Sequence, residues 1–208
     1  ALKLIRRLKT DLPYSLNDVA SAGSDSFYAT IDRGSITRTG RMLETYLRLA
    51  RGGIAYGDSE GITRITGDLV YPNGIQVSPD GTKVYVSETT GQRLLTYARD
   101  TQTGQLALSN QVSINSALDN LEWDLDGNLW LGAHPQMFKY LKHRGSQTNR
   151  SASQVFRVDL SDNMSITEIY LNNGAPISGS SVGAPYQDHL LIGSVYEPFI
   201  LDCKVTTD

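Results

Sequence analysis

Apolar and polar positions alternate along this chain in short runs, and turn residues separate the runs. Alternation with a period of two is the signature of half-buried β-strands. Four segments share one layout: Leu16-Asn-Asp-Val-Ala20, Pro72-Asn-Gly-Ile-Gln76, Asp119-Asn-Leu-Glu-Trp123 and Ser178-Gly-Ser-Ser-Val182 each open a strand. A turn follows at Gly23–Ser26, Pro79–Gly81, Asp126–Gly127 or Tyr186–Asp188, and then a second strand at Phe27–Thr30, Lys83–Val86, Asn128–Leu131 or His189–Ile192. Arg93–Tyr97 supplies a third strand in the second repeat. Asn17, Asn73, Asn120 and Gly179 occupy the matching positions, 56, 47 and 59 residues apart. Repeats of this size built from several short antiparallel strands predict an all-β chain of propeller blades. A β-sandwich would also show short strands, but not an asparagine recurring at each strand entry.

Helix is scarce. Arg41 to Ala50 has helical spacing through Met42, Leu43, Tyr46, Leu47 and Leu49, and Gly52-Gly53 reads as its stop. Such a helix would lie between blade strands as a surface or lid element. Four blades, starting near residues 4, 54, 112 and 166, make a single propeller portion over residues 1–208. Closure normally joins the last blade to the first, so that no long edge stays open. Neither terminus offers that strand, so further blades are expected on a missing segment or a separate chain.

Charge narrows the partners. Nineteen basic and 22 acidic residues are spread along the chain for a net charge of −3, with no basic block. This argues against a nucleic-acid partner. No apolar run approaches the roughly 18 residues of a membrane span. The sequons Asn149-Arg-Ser151 and Asn163-Met-Ser165 favour a secreted glycoprotein. Cys203 is either an inert buried thiol or half of a disulfide whose partner lies elsewhere.

First-strand entries of successive blades converge at one mouth of a propeller channel. Asn17, Asn73 and Asn120 hold that position in three blades, flanked by Asp18 and Asp119. Amides and carboxylates are hard oxygen donors, and Ca²⁺ takes six to eight of them at about 2.3–2.6 Å. A single asparagine there would be read as a turn cap. Three at one repeat position point instead to a calcium site, and no soft or imidazole donor competes. Two other signals are set aside. Gly179-Ser-Ser-Val-Gly183 fits G-x-S-x-G, but that motif needs a strand, a sharp turn and a helix, whereas a turn and a strand follow here. Asp124-Leu-Asp-Gly-Asn128 starts like an EF-hand loop but lacks the later glutamate and reads as a hairpin turn.

Several stretches together resemble the calcium-dependent paraoxonase/arylesterase/lactonase family. They are Leu16-Asn-Asp-Val19, Tyr71-Pro-Asn-Gly-Ile75 with Ser78-Pro-Asp-Gly81, Leu118-Asp-Asn-Leu121, Gly132-Ala-His-Pro135 and Leu191-Ile-Gly-Ser-Val195. The resemblance runs from about Leu4 to Cys203 and corresponds to the last four blades of a six-bladed propeller. It implies that Asn17, Asn73, Asp119 and Asn120 bind a catalytic calcium and Asp18 a structural one. Both sites would be completed by acidic residues outside this chain. It implies that His134 lines the active-site wall, in substrate contact or proton transfer, and that Val195 lines it too. The family's histidine pair, its proposed general base and proton shuttle, belongs to the part not seen here. Cys203 would pair with a cysteine near the other end of the propeller, here on a companion polypeptide or segment. His143, in a polar stretch, reads as solvated, and His189 as flanking a hairpin.

The activity implied is hydrolysis of lactones or aryl esters, with an ester or lactone as the small-molecule substrate. The alternatives are a calcium-propeller isomerase or cyclase in a biosynthetic pathway, and a non-catalytic propeller binding module.

Overall fold

The computed structural model describes residues 3–5, 7–146, 148–161 and 164–205. Asn163, one of the two sequon asparagines, lies outside them. Among the described residues, fifteen strands form four antiparallel sheets, each a meander in chain order. The first sheet holds β1 (Val19–Ser21), β2 (Phe27–Ile31), β3 (Gly52–Gly57) and β4 (Ile62–Leu69). The second holds β5 (Pro72–Val77), β6 (Lys83–Glu88), β7 (Arg93–Arg99) and β8 (Leu106–Ser113). The third holds β9 (Ala117–Trp123), β10 (Leu129–His134), β11 (Ser153–Asp159) and β12 (Ser165–Asn172). The fourth holds β13 (Ser180–Tyr186), β14 (His189–Ser194) and β15 (Leu201–Lys204). This is a four-blade propeller arrangement.

The sheets therefore begin at Val19, Pro72, Ala117 and Ser180. Of the positions read as blade starts, residue 4 precedes β1, while 54, 112 and 166 fall inside β3, β8 and β12. Each asparagine-bearing segment is the first strand of its own sheet, so a blade starts where the polar ligand candidates sit.

The core lies between successive sheets. Tyr28, Ile54, Ile75, Val84 and Leu95 join the first to the second, and Leu94, Leu118, Leu121, Leu129 and Leu131 join the second to the third. Trp130, Val155, Ile177, Leu190 and Ile192 join the third to the fourth. Burying apolar faces between successive sheets in this way is what turns short marginal strands into a stable stack. Packing passes from each sheet to the next through the inner strands β1, β5, β9 and β13.

Two helices lie on the loops. α1 (Arg38–Leu47) starts earlier than its apolar spacing predicts, because Thr37 caps it by accepting from the Gly40 N–H at 3.1 Å. It ends at Arg48, held in the left-handed region with φ 52°, rather than at the glycine pair, which instead opens β3. Its apolar residues Met42, Leu43, Tyr46 and Leu47 face outward, and Glu44 and Thr45 are the buried ones. α2 (Met137–Gly145) was not expected at all. It occupies part of the polar stretch after His134, and Phe138 stacks on Tyr46 of α1 with ring centroids 6.3 Å apart.

α2 also corrects the reading of His143. That side chain is buried, its Nδ1–H donates to the Asn149 carbonyl at 2.9 Å, and its ring lies edge-on to Tyr196. A polar composition concealed an inward helix face. His189 opens β14 on the surface, where Asp202 holds its Nδ1 at 2.7 Å and raises its pKa.

Close approach of the third and fourth sheets depends on Gly132, where an added Cβ would sit 2.5 Å from the Ser181 backbone. Gly132→Ala should therefore cost about 1–3 kcal/mol, read as a lower denaturation midpoint with an unchanged m-value in the intact protein.

Candidate metal centre

The segments that carry the site are held by hydroxyl bridges between neighbouring sheets. Thr30 on β2 donates to the Asn73 carbonyl at 2.6 Å, and Ser87 on β6 donates to the Asp119 carbonyl at 2.6 Å. Thr89 donates to the Leu118 carbonyl at 2.8 Å and accepts from the Asn73 side-chain amide at 3.1 Å. Gly74 completes the fit, since a Cβ there would lie 2.7 Å from the Asp119 carbonyl oxygen. These contacts bring the openings of three inner strands to one place.

That place is a cleft of about 350 Å³ lined by Asn17, Asn73, Asp119, Asn120, Asp32, Tyr71, Tyr140, Arg144, Ser181, Val195 and Tyr196. All four candidate ligands of the catalytic ion and Val195 are therefore brought together. The Asn17 side-chain amide donates to the Asn73 amide oxygen at 3.0 Å. Asp119 is buried, and one of its oxygens meets His134 Nε2 at 3.1 Å.

His134 stands behind the cleft rather than on its wall. It is 1% exposed and stacks on Tyr140 with centroids 3.5 Å apart, and Asp119 separates it from the opening. Its buried Nδ1 has no hydrogen-bond partner. Its one polar contact among the described residues is with the Asp119 carboxylate. Burial, then the Asp119 charge, push the Tyr140 hydroxyl far above its ordinary pKa, so it stays a neutral phenol.

Asp18 lies outside the cleft lining. One carboxylate oxygen accepts from Ile75 N at 2.9 Å and the other from its neighbour Val19 N at 2.8 Å. Burial raises its pKa above 3.8, and the Asp119 charge adds to the rise. Burial and the Asp18 charge raise Glu122 in turn. Crowded carboxylates of this kind favour a cation.

Asp32, Tyr71, Tyr140, Arg144, Ser181 and Tyr196 line the cleft without having been read as site residues. Asp32 follows β2, and its buried Oδ1 has no partner. Ser181 holds the cleft position in the fourth sheet, two residues past the glycine aligned with the asparagines. It lies within β13, with β14 after it, so no strand-to-helix elbow forms and the nucleophile reading stays rejected. Tyr71 sits at the entry to β5 with φ 55°. Tyr71 and Ser181 stood inside segments already singled out. Asp124 forms a hairpin turn, its carboxylate accepting from Asp126 N, Asn128 N and Trp130 Nε1.

The donor set tests the idea of a hard cation. It consists of three carboxamides and one carboxylate, with a hydroxyl beside them and no thiolate among them. That composition fits calcium and disfavours zinc or copper. Among the described residues, no three His, Cys, Asp or Glu side chains converge as a metal-binding group, so a cation would depend on the amides.

A family model described as arylesterase matches residues 1–204. The chain belongs to the arylesterase family. Human serum paraoxonase/arylesterase 1 is 29% identical over 195 residues, covering 92% of this chain and 54% of the relative. Rat serum paraoxonase/arylesterase 2 is 31% identical, covering 93% of this chain and 54% of the relative. The chain thus spans about half the length of these arylesterases. Among solved structures, a calcium-binding regucalcin from Agrobacterium tumefaciens has a TM-score of 0.56 at 20% identity, over 88% of this chain and 54% of that one. A gluconolactonase from Xanthomonas campestris has a TM-score of 0.52 at 20% identity, over 86% of this chain and 54% of that one. These likenesses show the propeller fold.

Cys203 is a free thiol on β15, partly buried, and burial raises its pKa. No helix among the described residues is long and apolar enough to cross a membrane.

His134→Phe would preserve the stack on Tyr140 and strip a buried Asp119 oxygen of its partner. The expected loss is about 1–3 kcal/mol by chemical denaturation, smaller for His134→Gln, which retains a donor.

Proposed function

We propose that this chain carries the metal-holding part of a calcium-dependent hydrolase of lactones and aryl esters. The observation that carries this reading is the convergence of Asn17, Asn73, Asp119 and Asn120 on one open cleft. Membership of the arylesterase family supports it, as does the gluconolactonase among the propellers of like fold. Bound calcium would polarise the ester carbonyl and stabilise the oxyanion that forms there.

The chain's own residues do the rest. Asn17, Asn73 and Asn120 present neutral oxygen donors, so Asp119 alone of the four brings negative charge and the ion keeps its Lewis acidity. His134 fixes the Asp119 carboxylate through the 3.1 Å contact, and Tyr140 fixes the ring of His134. Val195, Tyr196 and Ser181 form the wall against which an acyl or alcohol portion lies. Asp18, near Asp119 and Glu122, is the candidate ligand of a second, structural ion.

Four side chains fall short of the six to eight oxygens calcium takes. In this reading the missing donors come from the part of the relatives' length that the chain does not span. A companion segment or polypeptide, and a disulfide from Cys203 to it, belong to the same proposal. So does a secretory location. Asn149 follows α2, and its side-chain amide bonds the Lys142 carbonyl at 3.3 Å on an exposed surface, where a glycan could be borne.

In the intact protein, turnover of phenyl acetate and a γ-lactone should vanish with a calcium chelator and return on readdition. Asp119→Asn should lower kcat about 100-fold or more. Chelator-resistant hydrolysis would refute the reading, and calcium binding without turnover on either substrate would favour a binding module. The raised Asp18 pKa means that protons compete with a cation already above the range of an exposed aspartate. Calcium affinity should consequently weaken as pH falls from 7.5 towards 4.5, and the dependence should flatten in Asp18→Asn, as calcium-dependent shifts in Tm would show.

A further inference from the structure

Beside the metal cleft lies a second cavity of about 440 Å³, and the two share Asp32, Tyr71 and Arg144 in their linings. Four guanidinium groups face it: Arg33, Arg38, Arg41 and Arg144. Against them stands one carboxylate, Asp32. Among the described residues, none of the four arginines forms an ion pair with any carboxylate, Asp32 included.

The Asp32 carboxylate feels Arg33, Arg41 and Arg144 together, and Arg41 Nε also donates to the Ser35 carbonyl at 3.0 Å, which leaves four cations set against one carboxylate. Arg33 is 8% exposed, and its Nε is buried without a hydrogen-bond partner. Its guanidinium lies 3.7 Å over the Tyr71 ring, and both residues line the cavity. Arg38 and Arg41 occupy the first turn of α1, where no acidic residue stands. Cations at a helix N-terminus oppose the macrodipole, and an anion placed there satisfies both. A buried charge left unpaired is costly, so folds rarely keep one unless something else pairs it.

We propose that this cavity is an anion subsite and that the preferred substrate is an ester or lactone carrying a carboxylate beside the scissile group. Arg33 supplies the buried, preorganised fork, and Arg41 and Arg38 close on the anion from α1. Arg144 borders both cavities and orients the substrate between them. A bidentate guanidinium–carboxylate contact adds direction as well as affinity, so it also sets which carbonyl reaches the metal cleft. The inference rests on the hydrolase reading for its substrate, but the subsite itself rests on the four arginines.

The experiment uses the intact, calcium-loaded protein, a γ-lactone bearing a ring carboxylate, and the primary amide of that lactone. Wild type should favour the carboxylate about tenfold or more in kcat/KM, and the ratio should fall towards one in the double variant Arg38→Gln, Arg41→Gln. Removing basic charge from the first turn of α1 favours the helix, so misfolding is not expected to mask the result. Glutarate titrated by calorimetry gives a second reading, with affinity about tenfold weaker in the double variant. Equal rates on the two lactones in wild type, or a preference surviving in the double variant, would overturn the subsite. If neither lactone is turned over, the hydrolase reading fails. Calorimetry then decides the subsite alone, upheld if the double variant loses glutarate binding and overturned if it binds as wild type does.

Discussion

Everything at the centre of this molecule depends on hydroxyl groups of one blade holding the backbone of the next. The Asn73 and Asp119 carbonyls accept from Thr30 and Ser87 at 2.6 Å each, and Thr89 ties the adjoining Leu118 carbonyl. These bonds satisfy peptide groups that face out of their own sheets, where an unmet carbonyl would be expensive. They also fix the height at which each inner strand enters the cleft. The amides of Asn17 and Asn73 touch at 3.0 Å because the strands beneath them have no freedom to slide. Gly74 is part of the same constraint, since any side chain there would force β5 away from β9.

The same interlock explains what could be read from the sequence. β2, β6 and β10 are buried at consecutive positions and read as short apolar-rich runs bounded by turn residues, while β14 alternates, so all four fall where the pattern puts them. The recurring asparagine marked the cleft because a repeat places equivalent residues at equivalent radius. The outer strands carried weaker signals, being half-exposed, and blade boundaries were misplaced into β3, β8 and β12. α2 was missed because its stretch is dominated by charge. Asp32, Arg33 and Arg144 were missed for a different reason: each lies in a connection, outside any repeat position, and only folding brings them beside Tyr71.

His134 shows how a resemblance can locate a residue near a cleft without giving its depth in the fold. The motif around it placed it at the cleft, yet burial and the stack on Tyr140 put it one layer behind Asp119. Its Nε2 is spent on the carboxylate and its Nδ1 reaches nothing. A ring so enclosed cannot exchange protons with a substrate without passing them through Asp119. What the fold shows for it is a fixed contact with the buried Asp119 carboxylate.

Tyr71 joins the two halves of the argument. A non-glycine residue at φ 55° is strained, and it persists only where its surroundings over-determine it. Here its carbonyl accepts from Thr89 N at 2.8 Å and its ring carries the Arg33 guanidinium. Thr89 also holds Asn73, so one residue links the amide-lined cleft to the backbone turn that props up Arg33. Tyr71 stands in the wall shared by both cavities, so in the proposed reading its position sets the distance between a metal-held carbonyl and an arginine-held anion.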